Sequence, residues 1–135
     1  MAKAKEMLET YPGTVNVDVD LLSGTIEALV ECANTCTQCA DACLAEGGLS
    51  PELAKCIRLD LDCADVCATT SRVVARQREY DANVTRSLLE ACAAACKSCG
   101  DECEKHAAQM EHCRICAESC RRCEEACREL LAAMA

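Results

Sequence analysis

Phenylalanine and tryptophan are absent from the 135-residue chain, and Tyr11 and Tyr80 are its only aromatic residues. A core of this size ordinarily draws on aromatic area and bulky aliphatics. Here 51% of the chain is hydrophobic, but alanine (23) and cysteine (16) supply more than half of that. Basic residues are few: 14 Lys and Arg against 23 Asp and Glu leave a net charge of −9 and a pI of about 4.7. Nucleic acid is thereby excluded as a partner, because phosphate binding needs a basic surface. No apolar run approaches the roughly 18–20 residues that span a bilayer, which excludes a membrane role. The opening residues, Met1-Ala2-Lys3-Ala4-Lys5-Glu6-Met7, lack an apolar signal segment, a twin-arginine pair and a small-residue cleavage site. A cytoplasmic chain is the expectation, and reducing conditions there argue against eight structural disulfides.

What is present is a repeat. Cys32, Cys36, Cys39 and Cys43 read C-x3-C-x2-C-x3-C, and Cys92, Cys96, Cys99 and Cys103 repeat it 60 residues on. Cys56, Cys63 and Cys67 map onto Cys116, Cys123 and Cys127, while Cys120 maps onto Asp60 and Cys113 onto Leu53. A period of this kind means two similar halves. Steps of four, three and four place every cysteine on one stripe of an α-helix, whereas a strand would need steps of two.

The spacing predicts four helices, roughly 20–46, 51–79, 82–106 and 109–133. Asp20 is the expected cap of the first and Gly47-Gly48 its end. Ser50 caps the second with Pro51 at its first position, and Asp81 caps the third. The break near 107–110 has neither glycine nor proline, and only the repeat argues for a turn there. Residues 1–19 form an N-terminal extension with a short helix at 2–10, stopped by Pro12-Gly13, followed by Val15, Val17 and Val19. Residues 20–135 form the bundle. The expected fold is all-α: an up-down-up-down antiparallel four-helix bundle with a cysteine-lined core.

In that order the 43–56 and 103–113 turns share one end. Away from them the stripes become aliphatic (Leu22, Ile26, Leu29, Val73, Val74, Leu88, Leu89, Leu130, Leu131). A closed apolar end, a sulfur-lined middle and a polar mouth with Glu46, Glu52, His106, Met110 and His112 are therefore expected.

Cysteines used as small hydrophobes explain one or two positions, not 16 in register. Disulfides within a helix are disfavoured, because stripe neighbours sit about 5–6 Å apart at Cβ and a disulfide wants about 3.5–4.5 Å. Bridges between helices remain possible but need an oxidising compartment, and soft-metal binding is the better reading. The spacing suits neither ferredoxin loops nor zinc ribbons. Sixteen thiolates carry −16, and four tetrahedral zinc ions would return only +8, leaving a costly buried excess. Cu(I) accepts two thiolates, and each thiolate bridges two ions, so about one Cu(I) per cysteine gives a neutral core.

With these stripes the chain resembles the copper storage protein family over residues 20–133, and the cytosolic branch in particular. The resemblance implies Cu(I) storage in a cysteine-lined four-helix bundle assembled as a homotetramer. A zinc or general soft-metal thiolate buffer is the alternative.

Some residues interrupt the pattern. Asp60 is read as a harder ligand near the mouth, or else as a hydrogen-bond acceptor for a neighbouring histidine or thiol. His106 and His112, the only histidines, both fall at the mouth and are read as loading ligands against an ordinary surface role. Met110 is a soft ligand or an exposed turn residue. Charged residues such as Arg121, Arg122, Glu124 and Glu125 belong to solvated faces. Copper would arrive on a small thiol or a chaperone and pass between cysteine pairs. The chain is not read as an enzyme: the Glu-x-x-His signature of di-iron bundles is absent, and the cysteines lie in helix interiors rather than at activating N-termini.

Overall fold

The structure is a computed structural model describing residues 2–47 and 51–134. Among the described residues there are five helices and no strand: α1 (Ala2–Glu9), α2 (Val19–Ala45), α3 (Pro51–Ala75), α4 (Ala82–Glu104) and α5 (Glu111–Met134). The expected caps at Gly48 and Ser50 and the side chain of Glu52 lie outside the described residues. The four long helices form a ring of neighbours, with α2 on α3 and α5, and α4 on α3 and α5; α1 rests on α2. At 27 residues, α2 runs about 40 Å. No helix is long and apolar enough to cross a membrane.

Local chemistry sets the boundaries, and several differ from the sequence expectation, α4 ending at Glu104 rather than 106 and α5 starting at Glu111 rather than 109. The N-cap of α2 is Asp18, whose carboxylate accepts from Leu21 N at 2.9 Å. Asp20 sits inside the first turn and pairs with Lys5 of α1 at 3.0 Å, so its carboxylate is engaged elsewhere. Helix α3 stops at Ala75 rather than 79. The Gln77 side chain donates to Val74 O at 2.8 Å, taking up a carbonyl the helix leaves free, and Glu79 turns into left-handed backbone (φ +49°). Asp81 caps α4 as expected, accepting from Asn83 N at 2.8 Å. Gly47, at φ +76°, closes α2.

The chain does break after Glu104, as the repeat demanded, without glycine or proline in the turn. Amides of Lys105, His106 and Ala107 bond back only three residues, to Glu102 O, Cys103 O and Glu104 O, tightening the chain out of α geometry. The carbonyl of Met110 then accepts from Cys113 N at 3.1 Å to begin α5.

Leu22, Ile26, Leu29, Val74, Leu89 and Leu130 are buried and close one end of the core. Leu131 is partly buried beside them, as are Val73 and Leu88. Leu8 of α1 is buried in the same cluster, and Val15, Val17 and Val19 pack over it. Thr25 and Thr70 enter this apolar end without cost in lost hydrogen bonds. Their hydroxyls donate to Leu21 O and Val66 O of their own helices at 2.9 and 2.7 Å.

Outside, acid–base pairs such as Arg122–Glu31 (3.0 Å) and Arg128–Glu124 (2.8 Å) lace exposed faces. Arg121 joins Asp101 (2.7 Å) and Glu104 (2.9 Å) where α5 crosses α4. A side chain at Gly100 would meet Arg121 at 2.9 Å and Cys120 Cβ at 3.3 Å, so glycine there lets the two helices approach.

Candidate metal centre

All 16 cysteines are free thiols and none is more than 2% exposed. Their stripes converge because successive turns of each long helix carry cysteine or alanine toward the axis, and small side chains let the helices close on the sulfurs. Cys36 lies 3.7 Å from Cys116 and Cys120. Cys67 lies 3.7 Å from Cys92 and Cys96 and 3.8 Å from Cys123. Cys63 meets Cys96, and Cys56 meets Cys103, at 3.8 Å; Cys39 meets Cys113 at 3.9 Å. Cys127 lies buried beside Cys92 and Cys123. Bonds of about 2.3 Å to a central ion set sulfurs about 3.8 Å apart in a tetrahedron and about 4.0 Å apart in a triangle. The thiols already stand at ligand spacing.

Sets of four donors lie mutually within 4.8 Å, and they are not separate cages. Cys36, Cys99, Cys116 and Cys120 share the pair Cys36 and Cys120 with Cys32, Cys36, Cys63 and Cys120. That set shares Cys32 and Cys63 with Cys32, Cys63, Cys67 and Cys96. The last shares Cys67 and Cys96 with Cys67, Cys92, Cys96 and Cys123. Each step along the axis passes through two common sulfurs, so the sets form one edge-sharing column.

Asp60 is fully buried where the repeat has cysteine. Its Oδ1 accepts from the thiols of Cys99 (3.0 Å), Cys116 (3.3 Å) and Cys103 (3.5 Å), and Cys56 lies 4.0 Å from Oδ2. These neighbours are all thiols, from three helices. Burial pushes its carboxyl up to about 7. The folded chain thus keeps this proton to higher pH than the unfolded chain does. The resulting stability is full below the ordinary carboxyl range and is lost as pH rises through about 7. In metal-free, reduced protein, denaturant unfolding should show wild type losing about 2–3 kcal/mol more than Asp60→Asn between pH 5 and pH 8. Parallel pH profiles for the two would mean the carboxyl is already ionised in the folded core.

The two histidines part company. His112, 27% exposed at its side chain, turns Nδ1 toward Cys39 Sγ (3.4 Å) and Cys113 Sγ (3.6 Å), while its Nε2–H donates to Glu46 at 3.0 Å. Cys39, Cys43, Cys113 and His112 form a further four-donor set. Burial raises the thiol of Cys43 and pushes that of Cys113 up to about 12.

His106 points instead at Glu102, with Nε2 3.2 Å from the carboxylate. Glu102 is nearly buried and also meets Lys105 (3.3 Å) and Lys55 (3.9 Å). Met110 is partly buried against the cysteine core rather than standing free in the turn. Sequence reading missed Glu102 and the partnership of Glu46 with His112. The four-residue step from Glu102 to His106 was a legible signal for the first. The second crosses from α2 to α5 and leaves no local trace.

A family model described as "Copper storage protein" matches residues 19–132. A copper storage protein from Streptomyces lividans, solved loaded with 10 copper equivalents, is 52% identical with a TM-score of 0.89, over 96% of this chain and 98% of that one. A cytosolic copper storage protein from the same organism, with five coppers, is 55% identical with a TM-score of 0.78, over 84% of this chain and 93% of that one. The Cu(I)-bound copper storage protein 3 of Bacillus subtilis is 36% identical with a TM-score of 0.68, over 81% and 96%.

Proposed function

The chain belongs to the copper storage protein family, and on that premise we propose that it sequesters Cu(I) as cargo in its cysteine column. The edge-sharing of the four-thiol sets carries this reading. An ion that accepts two or three bridging thiolates fills such a column continuously. A divalent ion wanting four thiolates of its own in one set strips the next set of half its donors. About one Cu(I) per cysteine leaves the core neutral, which removes the cost of buried excess charge. Storage, with no catalytic turnover, is the activity.

We read the bundle as up-down-up-down. Contacts between Cys56 and Cys103 and between Cys67 and Cys92 pair α3 with α4 head to tail, and Cys39 with Cys113 pairs α2 with α5 likewise. The mouth lies beside the α4–α5 turn. Copper arriving on a small thiol or a chaperone exchanges onto His112 with Cys39 and Cys113, then meets the thiols around Asp60. There Asp60 acts as a weaker, harder donor that lets the ion move on. His106 and Met110 line the same end and complete the loading route. A cytoplasmic location and a homotetramer are carried over as part of this reading. Exposed Leu44, Leu61 and Ile115 offer apolar area for assembly.

Anaerobic titration of the reduced chain with Cu(I), against a chromophoric Cu(I) chelator, tests the proposal. About sixteen ions per chain should be taken from the chelator, and excess Zn(II) should leave the column's share in place. Uptake of a few equivalents only, or wholesale displacement by zinc, would replace storage of Cu(I) with a zinc or soft-metal buffer.

A further inference from the structure

The closed end of the bundle carries a cleft of about 300 Å3, partly open to solvent. The stretch leading into α2, the ends of α3 and α5 and the start of α4 meet around it. Val17, Leu22, Val74, Leu130 and Met134 supply apolar walls, and Arg76, Tyr80 and Thr85 also line it. No thiol, imidazole or carboxylate does. An apolar cleft with a few converging polar groups is the common form of a small-molecule site.

The polar groups are unspent. Thr85 is 6% exposed, and its hydroxyl has no hydrogen-bond partner among the described residues. The other two buried threonines, Thr25 and Thr70, give their hydroxyls to carbonyls of their own helices. A buried hydroxyl without a partner is costly, and a bound acceptor removes the cost. The phenol of the half-buried Tyr80 is likewise unpaired among the described residues. Gln77, by contrast, has its amide engaged with Val74 O at 2.8 Å.

Charge shows the same asymmetry. Arg58, Arg114, Arg121, Arg122 and Arg128 each pair with a carboxylate. Arg72, Arg76, Arg78 and Arg86, all around the α3–α4 connection, pair with none among the described residues. The Arg86 guanidinium donates to Met134 O at 3.2 Å, on the wall of the cleft. Acidic residues outnumber basic ones 23 to 14, so carboxylates are not in short supply. A guanidinium over apolar walls, with two free hydroxyls beside it, asks for an anion that carries an alkyl chain.

We propose that this cleft binds a short aliphatic monocarboxylate. Its chain lies against Leu22, Val74 and Leu130. Its carboxylate accepts from Arg76 and from the hydroxyls of Tyr80 and Thr85. The site is separate from the copper column and does not depend on the storage reading.

Hexanoate is the probe, added at low salt to reduced, full-length chain labelled with 13C at the methionine methyls. The Met134 signal, assigned with Met134→Leu, should shift saturably with a dissociation constant of about 0.1–1 mM. Met110, at the far end of the bundle, should not move. Arg76→Gln should weaken binding at least about tenfold, and Thr85→Val, which keeps the shape, about fivefold. Hexylammonium and inorganic phosphate should leave the Met134 signal in place, one having the wrong charge and the other no chain. No saturable shift with hexanoate would overturn the proposal. So would equal binding of hexylammonium, which would make the cleft an apolar hole without a preference for anions. Equal binding of phosphate would reduce it to a bare anion contact and overturn it too, as would hexanoate affinity untouched by Arg76→Gln. Cu(I) uptake by Arg76→Gln should match wild type, and its loss would mean that the residue serves the copper store rather than a site of its own.

Discussion

Copper loading should raise the thermal midpoint of the chain by 20 °C or more, read by far-ultraviolet circular dichroism under anaerobic, reducing conditions. An ion present at a thousand times its dissociation constant stabilises the folded state by about 4 kcal/mol. In a chain of this size that moves the midpoint by roughly 10 °C. Several ions held between helices multiply the effect. The metal-free core has little to set against it. Over the length of the column the interior is cysteine and alanine around Asp60, with large aliphatic side chains confined to the Leu29–Leu89–Leu130 end. Bridged sulfurs also join α2, α3, α4 and α5 across the axis, so copper contributes where bulky hydrophobic burial is missing. Copper that binds tightly yet shifts the midpoint by only a degree or two would be sitting on the surface.

The second large effect concerns which cysteines matter. Cys36 and Cys120 form the shared edge of two four-thiol sets, while Cys43 and Cys127 stand near opposite ends of the column. Replacing Cys36 and Cys120 together by alanine takes half the donors from both sets at once. The copper deficit should be at least twice that of the Cys43→Ala/Cys127→Ala pair, although each variant loses two thiols. Apo stability should fall by about 1–3 kcal/mol in either case, since cysteine to alanine is a small change of volume. Equal deficits would mean that each thiol holds its own copper independently.

Much of this was written in spacing. The steps of four and three declare a helix and one face of it, and the 60-residue period supplied the turn near 107–110 that no local residue announces. Asp60 stood out because its counterpart in the repeat is Cys120. Legibility ended where an answer depended on groups from another helix. Asp20 looked like a cap until Lys5 claimed it, and the end of α3 was set by the Gln77 side chain reaching back to Val74 O. Edge-sharing was out of reach altogether, because it depends on how far each helix is rotated about its own axis. A stripe fixes the face but not the phase between stripes. Glu46 against His112 is of the same kind.

Burial holds thiols such as Cys43 and Cys113 in their protonated form, so the metal-free column is a dry core filled with S–H groups. A cation moving inward cannot leave those protons behind without building charge in a medium that punishes it. Copper entering such a core would therefore exchange places with hydrogen ions moving outward along the same axis. Filling becomes a counter-traffic that keeps the interior neutral at every stage of occupancy. Acidity outside then works as back-pressure on the store: it opposes filling and assists emptying without any moving part in the fold.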